Sequence, residues 1–297
     1  MNDNLDPVYV YLHIPRTGGT TLTWSIGYQF HREDDRWLRH FNWMNAQDYI
    51  HHNIPLLERR TVEQHKQLKF ITGHSTFNMC HYWLKVRKAP RVFTTVRDPI
   101  DRLISSFNYR HGTSMLNQDP EQFTLTSPLM DPHARFNSKT ANDYTSMLDW
   151  YRDATGEHNL QCKWLLKSYY AFIDNNFVPF DRIVKHKDPT IPDIWPSWFD
   201  DIEMDDYLFS MVLDIVDNQL WYAGLNETLS EDIAALCEYT GIKQVDVTNR
   251  HRSGDDYPIY WTREQVEQQL DYSTLVNCEK YDIMLYEHIK ENSKRPF

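Results

Sequence analysis

The chain is poor in the features that would announce a metal, a membrane or a nucleic acid. Only four of its 297 residues are cysteine (Cys80, Cys162, Cys237 and Cys278), and they lie far apart. No CxxC pair or Cys/His spacing resembles a zinc site, so no metal is expected and the thiols read as buried or idle. No apolar run approaches the ~20 residues that span a bilayer. The N-terminal Met1-Asn-Asp-Asn-Leu-Asp6 lacks the basic and apolar blocks of a signal peptide. The expected location is a reducing cytoplasm, where Asn226-Glu-Thr228 would not serve as a glycosylation sequon. Positive charge is also scarce: 31 Lys and Arg stand against 42 Asp and Glu, a net charge of −11. That balance argues against nucleic acid as a partner, because such binding depends on cations neutralising phosphates. It also disfavours a long, highly sulfated polyanion, while leaving room for a local cationic pocket.

What is present points to an anion. Val8-Tyr-Val-Tyr-Leu-His-Ile-Pro-Arg-Thr-Gly-Gly-Thr-Thr-Leu22 begins as an apolar strand, breaks into small residues with one cation, and resumes as a helix. A Gly/Thr loop at a helix N-terminus aims backbone N–H groups at a ligand, and the helix dipole favours negative charge there. Gly18 and Gly19 allow close backbone approach. Thr17, Thr20 and Thr21 add hydroxyl donors, and Arg16 adds a permanent charge.

With 41% hydrophobic and 25% charged residues the chain can build a packed core. Strands are expected at 8–14, 69–72, 91–96, 180–185 and 220–225. Helices are expected at 20–30, 100–109, 142–151, 159–173, 205–216, 228–240 and 272–289, with capping boxes at Thr228-Leu-Ser-Glu231 and Thr262-Arg-Glu-Gln265. Residues 37–52 show no clean period. Residues 111–140 carry Gly, Pro, Ser and Asn without period and read as an excursion or lid. No repeat or linker divides residues 1–297, so one domain is expected.

Strands alternating with helices give an α/β fold: a central, mainly parallel sheet with helices on both faces. Ligands then bind beyond the carboxyl ends of the strands. Arg16, His74 and Arg97 each follow an expected strand directly and would gather at one rim.

The first loop is not a Walker A motif, since GxxxxGK[ST] requires a Gly-Lys pair that it lacks. His13-Ile-Pro-Arg-Thr-Gly-Gly-Thr-Thr21 resembles the 5′-phosphosulfate loop of sulfotransferases that use PAPS (3′-phosphoadenosine 5′-phosphosulfate) and release PAP. It is most similar to the branch of glycosaminoglycan O-sulfotransferases, of the heparan sulfate 2-O and 6-O type, and their bacterial relatives. Their usual form is His-Ile-Pro-Lys-Thr-Gly-Gly-Thr. Val96-Arg-Asp-Pro-Ile-Asp-Arg-Leu-Ile-Ser-Ser-Phe107 resembles that family's 3′-phosphate motif, with Arg97 and, eight positions later, Ser105. Weaker echoes follow at Asn159-Leu-Gln161, Ala223-Gly-Leu-Asn-Glu227 and Asp282-Ile-Met-Leu-Tyr286.

The resemblance implies a P-loop-like three-layer sandwich and sulfuryl transfer from PAPS to a hydroxyl of a glycan, or of a lipid or small-molecule alcohol, without a metal. It implies that residues 16–21 cradle the phosphosulfate, that Arg16 steadies the leaving oxygen, and that Arg97 and Ser105 hold the 3′-phosphate. Arg16 replaces the family's lysine; it keeps the charge and gains a bidentate fork. Protein-tyrosine sulfotransferases also carry arginine there. His74, in Ile71-Thr-Gly-His74, is the candidate base; it reads equally as a histidine bonded to backbone at a strand end. Asn249-Arg-His-Arg-Ser-Gly254 resembles the superfamily's late cofactor loop, so Arg250, Arg252 and Ser253 either join the site or form a solvated basic turn. Two rival functions stay open: a P-loop-like phosphotransferase, and an inactive relative that binds PAP or a glycan.

Overall fold

The structure, a computed structural model, describes residues 6–27, 37–41, 61–73, 88–116, 147–153, 155–173, 176–179, 202–242, 261–269, 272–293 and 295–296. The first half contains β1 (Asp6–Leu12), α1 (Gly19–Gly27), β2 (Trp37–Phe41), α2 (Val62–Gln67), β3 (Phe70–Gly73), β4 (Lys88–Val96) and α3 (Pro99–Leu116). The second half contains α4 (Met147–Asp153), α5 (Leu160–Tyr169), β5 (Tyr170–Ile173), β6 (Asn176–Pro179), α6 (Asp206–Asp214), β7 (Tyr222–Leu225), α7 (Leu229–Thr240), α8 (Arg263–Gln269), α9 (Tyr272–Cys278) and α10 (Lys280–Asn292).

Five strands form one parallel sheet in the order β2-β3-β1-β4-β7. β1 lies at its centre and pairs Leu12 with Gly73 on one side and with Thr94 on the other. Its alternation between two covered faces explains why it is hydrophobic from Val8 to Leu12. Val8, Val10 and Leu12 meet Leu165 of α5, Val212 of α6 and Leu285 of α10 on one face. Tyr9 and Tyr11 meet Leu22 and Ile26 of α1 and Leu229 and Ile233 of α7 on the other. Both faces of the sheet are therefore covered by helices, as a parallel sheet requires. A third cluster joins α3 to α4, α8 and α9 through Leu103, Phe107, Trp150, Val266 and Leu275.

Several sequence expectations need correction. Residues 37–41, where no period is visible, supply edge strand β2, set by its pairing with β3. The expected helix over 159–173 stops at Tyr169. Tyr170 is extended (φ −113°, ψ 148°), and Tyr170–Ile173 pairs antiparallel with Asn176–Pro179. The expected excursion at 111–140 begins too early, because α3 continues to Leu116; 117–140 and the expected strand at 180–185 lie outside the described residues. The closing helix is interrupted at Glu279, a fully buried carboxyl.

The capping boxes divide. Thr262 and Gln265 cap each other reciprocally, side chain to backbone N–H, at 2.8 and 3.3 Å. Thr228 makes no such cap; its hydroxyl bonds to Asp232 Oδ2 at 3.0 Å and to the Leu225 carbonyl at 3.3 Å. Among the described residues no helix is long and apolar enough to cross a membrane.

Candidate functional site

The loop after β1 is a tight turn with little spare space. Arg16 and Gly18 adopt left-handed backbone conformations, with φ of 68° and 87°. Glycine tolerates this readily, whereas arginine must be held there by its surroundings. The buried Thr17 hydroxyl donates to the Ile14 carbonyl at 2.9 Å, and Thr95 Oγ1 donates to the Thr17 carbonyl at 3.0 Å. Thr95 in turn meets the buried Tyr11 hydroxyl at 2.7 Å, so β1, β4 and the loop are tied together. Burial raises the Tyr11 phenol to about 12, with the Thr95 and Thr17 bonds pulling the other way. Thr17 thus shapes the loop with its hydroxyl. Thr20 is exposed and Thr21 half-buried in the first turn of α1.

Both glycines are needed for space. A Cβ on Gly18 would strike Asn226 Oδ1 and come within 2.6 Å of Leu229, at the corner between β7 and α7. A Cβ on Gly19 would overlap the His13 ring. The loop therefore sits pressed between these groups at the N-terminus of α1, the end of a helix that favours an anion.

The second corner follows β4. Arg97 precedes α3, and its Nη1 donates to the Arg16 carbonyl at 3.5 Å. Arg16 reaches into the same corner: Nε and Nη2 donate to Ser105 Oγ at 3.2 and 3.1 Å. The guanidinium of Arg16 also lies 4.4 Å from the centroid of the Tyr109 ring. Three of the sequence candidates, Arg16, Arg97 and Ser105, are thereby brought together at the carboxyl ends of the central strands. Burial pushes the Arg97 guanidinium below its ordinary value; Asp101 opposes this, the Arg16 cation adds to it, and Glu227 and Asp98 oppose it. Arginine remains charged regardless, so the Arg16 charge acts on a neighbouring cation, and an anion bound at this corner would relieve that repulsion.

His74, Arg250, Arg252 and Ser253 lie outside the described residues. β3 nevertheless ends at Gly73 beside the loop, where the His13 N–H donates to the Gly73 carbonyl at 2.8 Å.

Other residues that shape this corner escape a reading of function from sequence, although the three weak echoes contain them. Gln161 clamps the Arg97 peptide, accepting from its N–H at 2.9 Å and donating to its carbonyl at 3.0 Å. Asp282 accepts from the N–H groups of Gln161 and Cys162 at 2.9 and 2.8 Å, at the N-terminus of α5. Asn159 adopts φ 49° and accepts at Oδ1 from the N–H groups of Tyr281 and Asp282 at 2.9 and 3.0 Å. Glu227 accepts from the Asp98 N–H at 3.3 Å. Asp98 caps α3 through the N–H groups of Ile100 and Asp101, each at 3.0 Å, and binds Arg263 at 2.7 Å. The three echoes are one scaffold behind Arg97.

Behind that scaffold lies a buried ionic layer. Arg102 pairs with Glu157 at 2.9 Å, both nearly excluded from solvent. Glu279 accepts from the Tyr151 hydroxyl at 2.7 Å. Burial, then the neighbouring Asp282, pushes its carboxyl up to about 8, against the opposing pull of Arg102. Among the described residues no cluster of His, Cys, Asp or Glu could hold a metal ion.

No family model matches the chain, and no curated protein matches it.

Proposed function

We propose that this chain is a PAPS-dependent sulfotransferase with a P-loop-like sandwich fold, acting on a hydroxyl acceptor. The single observation that carries the reading is the meeting of Arg16 and Arg97, from two different strand-to-helix corners, with Ser105 bonded to Arg16. A nucleotide with a phosphosulfate at one end and a phosphate at the other suits paired cations of this kind. The position of the Gly18-Gly19 turn at the N-terminus of α1 supports placement of the 5′ end there, because the first-turn N–H groups of a helix favour an anion.

Residues 16–21 would cradle the phosphosulfate. Arg16 would stabilise charge developing on the oxygen that bridges phosphorus and sulfur, and Arg97 with Ser105 would hold the 3′-phosphate. In the transfer an acceptor oxygen bonds to sulfur in line as the S–O bond to the 5′-phosphate breaks. The acceptor proton passes to His74, and PAP leaves. By analogy with phosphoryl transfer, positioned cations and N–H groups do most of the work. PAPS carries about four negative charges, two or so on the 3′-phosphate. Two arginines leave part of that uncompensated, which is the role proposed for Arg250, Arg252 and Ser253. The acidic chain suits a weakly charged acceptor: a glycan first, then a lipid or small-molecule alcohol.

Thermal shift with PAP, compared with ATP plus magnesium, tests nucleotide choice. Stabilisation by PAP is expected, and stabilisation by ATP alone would favour a phosphotransferase. Radiolabelled sulfate transfer from PAPS to a panel of glycans and alcohols tests turnover. PAP binding without transfer to any acceptor would leave a nucleotide-binding protein.

A further inference from the structure

Tyr109 has no part in the roles assigned above, yet its ring lies against the Arg16 head group. Ser105 and Tyr109 are i and i+4 neighbours and share one face of α3. The serine hydroxyl meets the edge of the guanidinium through Nε and Nη2, at 3.2 and 3.1 Å. The tyrosine ring lies 4.4 Å from the guanidinium carbon. One contact holds the edge of the guanidinium and the other covers it with a ring, so together they restrict a long, rotamer-rich side chain. The backbone at Arg16 is constrained as well, at φ 68°. Tyr109 is 37% exposed, more than a ring placed only to fill the core would be.

We propose that Tyr109 is a positioning residue for the anion site, holding the Arg16 guanidinium ready so that an incoming anion meets a pre-oriented charge. The proposal rests on the reading of Arg16 as an anion-binding residue. A ring that orients the cation lowers the ordering cost of binding. Loss of the ring therefore weakens any anion seated on Arg16, whatever the rest of that ligand is.

Titration calorimetry on the full chain with PAP, and separately with inorganic pyrophosphate, tests this. Tyr109→Phe keeps the ring and should bind both within about twofold of wild type. Tyr109→Leu should weaken both by roughly three- to thirtyfold, the span of a cation–π contact from part-exposed to desolvated settings. Tyr109→Gln, suited to an exposed helical position, provides the same readout should the leucine variant fold poorly. Combined with Arg16→Gln, the loss of the ring should add almost nothing, because the two residues act as a pair. Wild-type affinity in both ring-less variants, full additivity with Arg16→Gln, or a phenylalanine variant as weak as leucine would each overturn the proposal. Pyrophosphate binding that depends on Tyr109 without any PAP binding would sustain the proposal and remove the sulfotransferase reading. Failure of wild type to bind either anion would overturn both.

Discussion

Gln161 grips the peptide of Arg97 from both sides, with its amide oxygen 2.9 Å from the Arg97 nitrogen and its amide nitrogen 3.0 Å from the Arg97 carbonyl. A side-chain amide that satisfies donor and acceptor of one residue replaces the missing continuation of the sheet ladder at the end of β4. Gln161 is fully buried, and its own N–H is taken by Asp282. Position 97 is thus set by residues 64 and 185 places along the chain.

Gln161→Leu should leave the part-buried N–H and C=O of Arg97 without this partner. A destabilisation of about 1–3 kcal/mol is expected from each such loss, read by denaturant unfolding. PAP affinity should fall with it. A variant with wild-type stability and affinity would show that the clamp does not position Arg97.

Gly18→Ala places a Cβ at φ 87° against Asn226 and Leu229. The backbone penalty alone is about 1–3 kcal/mol. Gly19→Ala instead meets the His13 ring, so its defect should be partly relieved in the double variant with His13→Ala. Calorimetry of the single and double variants measures the relief, and equal melting temperatures for Gly19→Ala with and without the second change would refute the steric account.

Arg97→Ala should weaken PAP by about 10- to 150-fold, the range for a charge-assisted hydrogen bond. An analogue lacking the 3′-phosphate should lose much less. Equal losses for the two ligands, by titration calorimetry, would move Arg97 away from the 3′ end.

His74→Ala should lower turnover by about 10²–10⁴ while PAP binding survives, as for removal of a general base. Unchanged turnover in the sulfate-transfer assay would remove His74 from that role.

Glu279 gives a pH signature. Its carboxyl is raised to about 8 in the folded chain from an ordinary 4.5, so the folded state binds the proton more tightly than the unfolded one. The stability it contributes is full below about 4.5 and is lost as pH rises towards 8, with the unfolded chain already ionised over that window. Glu279→Gln keeps an acceptor for the Tyr151 hydroxyl and cannot ionise. Melting temperatures measured from pH 5 to 9 should therefore fall more steeply in wild type than in the variant. Parallel curves would show that Glu279 does not titrate in this range.

Much of the fold is legible in the chain because its signals are local. The apolar stretch at 8–14, the glycine break at 18–19 and Pro99 at the first turn of α3 are read within a few residues of themselves. β2 is not legible in this way, because an aromatic and histidine-rich segment becomes a strand only when β3 offers an edge. The split between α5 and β5 is missed for the same reason: Tyr170–Ile173 suits either state until Asn176–Pro179 pairs with it. Of the site, Arg16, Arg97 and Ser105 are visible as candidates, whereas Tyr109, Gln161 and Asp282 carry no isolated chemical signature.

Primary structure alone determined a parallel α/β sheet and a glycine loop with an arginine at the head of the first helix, because strand alternation and turn chemistry act over short distances. Tertiary structure decided that Arg16 turns onto Ser105 and Tyr109, that Gln161 braces Arg97, and that Asp282 anchors Gln161. Those choices join residues 64 to 121 positions apart, and only packing of the helices against both faces of the sheet brings them together.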